Sequence, residues 1–280
     1  MAKLTVGAGW SFDFQDFNAS VLLEGYSYTG TARRYVIDYP YGETDTLLGT
    51  GFSYRSATDP TPVSGTVYRY TRSYDGKLVY DFQHLSLSAV DLVKIAKTVS
   101  VSDDFALLKK QLGADDTMIG ADDMDVLNGY AGNDTLLGKG WDDVLRGGSG
   151  DDVLVGGLGR DMLIGGQGSD VFQYRGNSES VVDSYSRDTI RDFEAGVDRI
   201  DLALIDADRT HFGNSAFQML RAEGREFTGK SGELRWYQSD KPGSSTDSTL
   251  IQADTNGDGG AEIEIRLSGL IDLKPSDFIL

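Results

Sequence analysis

The 280-residue sequence predicts a mainly all-β chain: a central parallel β-roll, a β-sandwich capping it on the C-terminal side, and an N-terminal β-rich domain carrying two short helices. Three observations predict this. Residues 111–190 repeat with a strict period of nine. Residues 191–280 hold short segments of alternating apolar and polar residues separated by Gly/Asp turns. Residues 1–100 hold no repeat and ten of the 14 tyrosines. Charge divides the chain at the same places. Residues 1–110 carry 12 acidic and 11 basic side chains, residues 111–190 carry 15 and 5, and residues 191–280 carry 17 and 10.

The repeat fixes the middle of the chain. Glycine recurs at Gly120, Gly129, Gly138, Gly147, Gly156 and Gly165, and five residues after each stands Asp125, Asp134, Asp143, Asp152, Asp161 or Asp170. Two further on comes Leu127, Leu136, Leu145, Leu154, Leu163 or Phe172, and a degenerate unit places Asp116 and Met118 in phase before them. The best units add Gly148, Gly150, Gly157, Gly159, Gly166 and Gly168. In the earlier ones Ala121 and Asp123, and later Lys139 and Trp141, stand where glycine is expected, so sites built on those turns are expected to be weak or empty. The consensus GGxGxDxUx resembles the calcium-binding nonapeptide motif of parallel β-rolls.

Elementary geometry explains why such a unit suits a cation. Six Gly/Asp residues make a turn because glycine accepts φ > 0. Three residues such as Val153, Leu154 and Val155 make a short strand whose central side chain points inward. Two units close one 18-residue coil, so turns 18 apart stack at about 4.8 Å. Calcium bonds oxygen at about 2.4 Å, so an ion midway would reach both layers. Without it, two such carboxylates repel by about 3–4 kcal/mol at an effective dielectric near 20. The register puts Asp116, Asp134, Asp152 and Asp170 on one edge and Asp125, Asp143 and Asp161 on the other. Counting 18 onward reaches Glu179 from Asp161 and Asp188 from Asp170, and both are taken as ligands closing the last sites.

Composition excludes several classes. The net charge of −18 rejects nucleic acid and anionic lipid and attracts cations. No apolar run approaches the ~20 residues of a membrane span, and Met1 to Gly7 lack the apolar core of a secretory signal. The chain has no cysteine, so disulfides and thiolate metal sites are out.

Over about residues 112–280 the chain resembles the repeats-in-toxin (RTX) proteins exported by type I secretion, and in particular the C-terminal domain of serralysin-type metalloproteases. The resemblance rests on Asp188-Thr189-Ile190-Arg191-Asp192-Phe193, then Asp198-Arg199-Ile200-Asp201-Leu202, and on β segments at 232–237 and 249–253. It continues in the turn Asp254-Thr255-Asn256-Gly257-Asp258-Gly259 and the strand 261–267. It implies several calcium ions and a type I transporter as partner. It also implies an export signal in Asp277-Phe278-Ile279-Leu280, acidic and then apolar, which reads equally as a final β-strand. The Asp254 turn has the first half of an EF-hand loop, but Ile265 occupies the position of the bidentate glutamate; a plain hairpin turn is the alternative.

In the N-terminal third, alternating strands at 66–71 and 78–82 flank Asp75-Gly76, a hairpin signal. Ser88 and Asp91 predict one short helix through Ile95, and Ser102 caps a second from Phe105 to Leu112. The tyrosines fit either packing or a carbohydrate groove. His84 and His211 lie far apart, no HExxH or GxSxG motif occurs, and Asp13, Asp16 and Glu24 carry no motif that marks them as catalytic. The sequence thus favours a non-catalytic secreted protein of adhesion, matrix or host contact. The alternatives are a small extracellular enzyme and a carbohydrate-binding module, each with its site in residues 1–110.

Overall fold

A computed structural model describes residues 2–8, 27–56, 61–89, 91–92, 109–183, 185–210, 214–220, 223–240 and 247–280. The N-terminal strands are β1 (Lys3–Val6), β2 (Ser27–Gly30), β3 (Arg34–Asp38), β4 (Glu43–Tyr54), β5 (Pro62–Tyr74) and β6 (Lys77–Ser88). The repeats form β7 (Thr117–Ile119), β8 (Val126–Asn128), β9 (Thr135–Gly140), β10 (Val144–Ser149), β11 (Val153–Leu158), β12 (Met162–Gln167) and β13 (Val171–Gln173). Beyond them lie β14 (Thr189–Ile190), β15 (Arg199–Asp201), β16 (Gln218–Met219), β17 (Glu233–Ser239), β18 (Ser248–Asp254), β19 (Ile263–Ser268) and β20 (Phe278–Ile279).

The repeats coil as the period requires. Odd and even units fall in two different parallel sheets, and partners stand 18 residues apart: Leu136 opposite Leu154, and Leu127 opposite Leu145 opposite Leu163. The central residue of each strand is buried, with Met118, Leu127, Leu136, Leu145, Leu154, Leu163 and Phe172 at most 1% exposed. One apolar side chain per nine residues is a thin core against the entropy of ordering those nine. Other interactions must therefore hold the coil.

Both sheets run on past the repeats. In one, β1 pairs in parallel with β7 and antiparallel with β6, so the antiparallel N-terminal sheet joins the roll edge to edge. The same sheet continues through β13 and β15 to β20, with Phe172, Ile200 and Phe278 in line. The other sheet passes from β12 to β14 and into the antiparallel β17–β19, with Leu163, Ile190 and Leu267 in line. The C-terminal cap is therefore built on the roll's own sheets rather than as a separate sandwich. The β19 strand is buried on both faces: Ile263, Ile265 and Leu267 face the core, and Glu264 is covered by Arg187, Gln252 and Ser180.

The Asp75-Gly76 hairpin is present, with φ of 45° and 73° at those residues. Of the two expected helices, only Ala89, Asp91, Leu92 and residues 109–112 are described: Leu112 is in a turn and the others are helical, too few to establish either helix; the Asp91 N–H donates to Ser88 Oγ at 3.3 Å. The rest of both helices, including Val93, Ile95, Ser102 and Phe105, lies outside the described residues.

Stacking imposes left-handed backbone on the turns. Gly157 and Gly159 have φ of 104° and 131°, and Lys139 and Trp141, one coil below, are held at 89° and 73°. A non-glycine residue there stores on the order of 1 kcal/mol of strain. Lys139→Gly and Trp141→Gly should each raise the thermal midpoint in saturating calcium, by about 1 kcal/mol of stability. Circular dichroism melts check this; an unchanged or lower midpoint for both would show that the turn is not strained.

Candidate metal centre

Each repeat aspartate is placed by its turn and buried, with Asp116, Asp125, Asp134, Asp143, Asp152, Asp161 and Asp170 at most 2% exposed. Their two carboxylate oxygens do different things. Oδ1 accepts the backbone N–H of the aspartate one coil earlier: Asp134 from Asp116 at 2.7 Å, Asp152 from Asp134 at 2.7 Å, and Asp170 from Asp152 at 3.0 Å. On the other edge Asp143 accepts from Asp125 and Asp161 from Asp143, each at 2.8 Å. A buried N–H needs an acceptor, and the carboxylate of the next coil supplies it.

Oδ2 has no such partner. In Asp116, Asp134, Asp143, Asp152, Asp161, Asp170 and Asp188 it is buried without a hydrogen bond. In Asp134, Asp143, Asp152, Asp161 and Asp170 it lies in its own turn beside the glycine five residues earlier. A β-carbon on Gly129 would stand 2.2 Å from Asp134 Oδ2 and 2.5 Å from the Gly147 carbonyl oxygen. At Gly138 the neighbours are Asp143 Oδ2 at 2.1 Å and Gly156 O at 2.5 Å; at Gly147 they are Asp152 Oδ2 at 2.2 Å and Gly165 O at 2.6 Å. Gly156 and Gly165 adjoin Oδ2 of Asp161 and Asp170 in the same way. The positive φ of Gly148, Gly150, Gly157, Gly159, Gly166 and Gly168 completes these turns. The cradles of Asp134, Asp143 and Asp152 thus offer an unpaired carboxylate oxygen near a carbonyl oxygen of the next coil, a hard-oxygen set suited to calcium.

The two oxygens of each carboxylate are therefore placed differently: Oδ1 accepts a backbone N–H, and Oδ2, inside the turn, is the one left without a protein donor. Among the described residues, only Asp254, Asp258 and Glu262 bring three carboxylate oxygens within 4.8 Å of one another. There Asp254 accepts the N–H groups of Asn256, Gly257 and Gly259, and Glu262 accepts that of Thr255, as in a hydrogen-bonded hairpin turn.

The ends of the ladder depart from the 18-residue count. Asp188 follows Asp161, not Asp170: its Oδ1 accepts the Asp161 N–H at 2.8 Å across 27 residues. Asp198 succeeds Asp170, accepting its N–H at 3.0 Å across 28. The reason is the segment 174–187, which loops out instead of adding a rung. Glu179 lies in that loop, accepts the Arg175 N–H at 2.8 Å, and raises the pKa of both Asp161 and Asp188 through its charge. The Tyr174 hydroxyl is buried beside the same two aspartates. Sequence counting missed Asp198, and also Asp192, whose carboxylate accepts from Gly165 and Gly166 at 3.0 and 2.9 Å. Both stand in the Asp-rich block 188–201, which was the available signal. At the degenerate unit, Ala121 N–H donates to Asp125 Oδ2 at 2.7 Å, closing that cradle.

Burial sets the charge state. Desolvation raises Asp134 to about 7, Asp143 to about 8, Asp152 to about 6, and Asp161 and Asp170 to about 7, against a backbone hydrogen bond that lowers each. Asp188 is raised well above the usual range, by burial first and then by Asp161. The metal-free roll therefore wants protons at neutral pH; a cation replaces them.

Comparison with known proteins agrees with this chemistry. Residues 112–140 match the family model "RTX calcium-binding nonapeptide repeat (4 copies)", and residues 143–280 match "Peptidase M10 serralysin C terminal". No curated protein matches the chain. Among solved structures it is similar to the AlgE6R3 subunit of the Azotobacter vinelandii mannuronan C5-epimerase, at 24% identity over 60% of this chain and 78% of that one. The TM-score is 0.32, too low a likeness to carry an argument about fold or function.

The pKa values predict the pH response of the metal-free chain. A carboxylate whose folded pKa is raised adds stability below its unfolded pKa, near 4, and loses it as pH rises through the folded value. In EGTA, β content should therefore be highest near pH 4–5 and fall as pH passes through about 6 to 8. Saturating calcium should flatten that fall, and calcium uptake at pH 7 should release protons. A metal-free signal that rises with pH would contradict the assignment.

Through residues 112–280 the chain is an RTX protein, in which calcium-binding nonapeptide repeats run directly into a serralysin C-terminal domain.

Proposed function

We propose that this is a secreted calcium-binding protein, exported by a type I system, whose roll folds when calcium fills the repeat cradles outside the cell. The observation that carries the reading is the row of buried Oδ2 atoms without a hydrogen bond, those of Asp134, Asp143 and Asp152 near a carbonyl oxygen of the next coil. A site of Kd ~0.1 mM gains about 1.8 kcal/mol at ~2 mM calcium and almost nothing at cytosolic levels. Several sites in one stack sum to a switch. The metal-binding part is residues 111–190, with 191–280 as its cap and 1–110 as the part that meets the outside.

We read the protein as non-catalytic. In the N-terminal sheet, the two buried carboxylates among the described residues are committed to ion pairs: Asp45 with Arg72 and Asp81 with Arg69, each through two bonds of 2.8 Å. Tyr28, Tyr35 and Tyr54 stack on one another, and Tyr70 stacks on Phe82, which supports packing as their role. A carbohydrate-binding module is the second reading. It is favoured by Tyr41, Tyr68 and Tyr74, which are exposed, and a glycan array with the full chain tests it.

The last four residues also take part in the fold. Asp277 is fully buried, its carboxylate accepts the N–H groups of Gly196 and Lys274, and Phe278–Ile279 is the last rung beside β15. Signal and strand then share one segment. Deleting residues 277–280 should stop export by a co-expressed type I transporter. The purified deletion should still gain β structure with calcium but melt at lower temperature. Continued secretion at wild-type level would remove this segment as the signal. Identical circular dichroism of the full chain in calcium and in EGTA at pH 7.5 would remove the switch.

A further inference from the structure

Outside the repeat cradles, a cavity of about 280 Å³ opens where the roll's last loop meets the C-terminal cap. It is lined by Arg175, Asn177, Leu204, Ile205, Asp206 and Arg209. Among the described residues neither Arg175 nor Arg209 makes a direct ion pair, and the Arg175 charge reaches the Glu179 carboxyl only at longer range. Arg175 donates from Nε to Gln173 Oε1 at 3.0 Å, and no hydrogen bond engages its terminal nitrogens. Arg209 is anchored by its backbone, donating N–H to Thr255 O at 3.1 Å, while its side chain is exposed.

The rest of the lining is held in place. Asn177 Nδ2 donates to Thr255 Oγ1 at 2.9 Å, which leaves its amide oxygen as an acceptor. Asp206 is the one acid in the wall, and its Oδ1 accepts the N–H groups of Asp208 and Ser215 at 3.1 Å each. Ile205 is buried beneath the wall, and Leu204, 56% exposed, is its apolar side.

We infer that this cavity is an anion-binding site for a small carboxylated ligand with a hydroxyl-bearing, partly apolar body, the chemistry of an acidic sugar unit. The carboxylate would lie between the two guanidinium forks, whose planar donors match its geometry. A hydroxyl would donate to the Asn177 amide oxygen, and the C–H face would rest on Leu204. The site lies apart from the calcium cradles and does not depend on how the chain is exported. A free acid and a unit of an acidic polysaccharide share this chemistry.

The test is isothermal titration of the full chain in saturating calcium with glucuronate, with a glucuronate-containing oligosaccharide, with glucose and with inorganic sulfate. Glucuronate should bind and glucose should not, and Arg175→Gln and Arg209→Gln should each weaken binding at least about tenfold. Calcium-induced circular dichroism of both variants should match wild type, which separates a lost anion site from a lost fold. Tighter binding of the oligosaccharide would assign the site to a polymer, and equal affinity to the free acid. Sulfate binding as tight as glucuronate would overturn the sugar part of the inference. Equal binding of glucose, no binding of glucuronate at 10 mM-scale concentrations (about 3 kcal/mol), or unchanged affinity in both variants would overturn it entirely.

Discussion

The structure depends on one constraint: a buried carboxylate that must satisfy two demands with two oxygens. Oδ1 of each repeat aspartate ties its coil to the one before, as in the 2.7 Å bond from Asp134 N–H to Asp152. Oδ2 of Asp134, Asp143 and Asp152 is left near a carbonyl oxygen, and two acceptors cannot satisfy one another. A proton or a cation must enter. The roll has one large apolar side chain per nine residues, so it has little hydrophobic reserve with which to tolerate the unpaired oxygen. In the proposed reading protein folding and ion binding are one equilibrium.

That equilibrium reaches the whole described chain through its sheets. The column Leu4, Met118, Leu136, Leu154, Phe172, Ile200, Phe278 runs along one sheet from the first strand to the last. Ala2 N–H donates to Asp116 Oδ1, so the residues before β1 cap the ladder at one end. Asp198 caps it at the other, with Oδ1 on Asp170 N–H and Oδ2 on Glu194 N–H, and so has no orphan oxygen. Asp198 is thus satisfied by protein donors, whereas Asp116 and Asp188 keep an unpaired Oδ2 like the central rungs.

Much of this is legible in the residues. A period of nine with Gly at one phase and Asp at another determines the 18-residue coil, the buried leucines and the cradle glycines. Alternation and Asp75-Gly76 locate the strands of the hairpin. What is not legible is non-local. Nothing at residues 3–6 announces a parallel partner at 117–119, because pairing across more than a hundred residues leaves no local pattern. The shift from 18 to 27 and 28 at Asp188 and Asp198 depends on where residues 174–187 leave the coil, which composition does not show. The division of labour between Oδ1 and Oδ2 is not legible in the sequence either, because it depends on which backbone N–H each oxygen meets one coil away. Lys139 and Trp141 were legible as departures from glycine, and their left-handed backbone shows that the stacking prevails over the residue's preference.

The most direct test of the central claim is the stability of Asp152→Asn with and without calcium. Asparagine keeps the Oδ1 acceptor for Asp134 N–H and replaces the orphan Oδ2 with an amide that can donate to the Gly165 carbonyl. Thermal melts at pH 7.5 should show a crossover: the variant more stable than wild type in EGTA, by about 1 kcal/mol or more, and less stable in saturating calcium. A variant that is less stable in EGTA as well, or equally stable in calcium, would contradict the account.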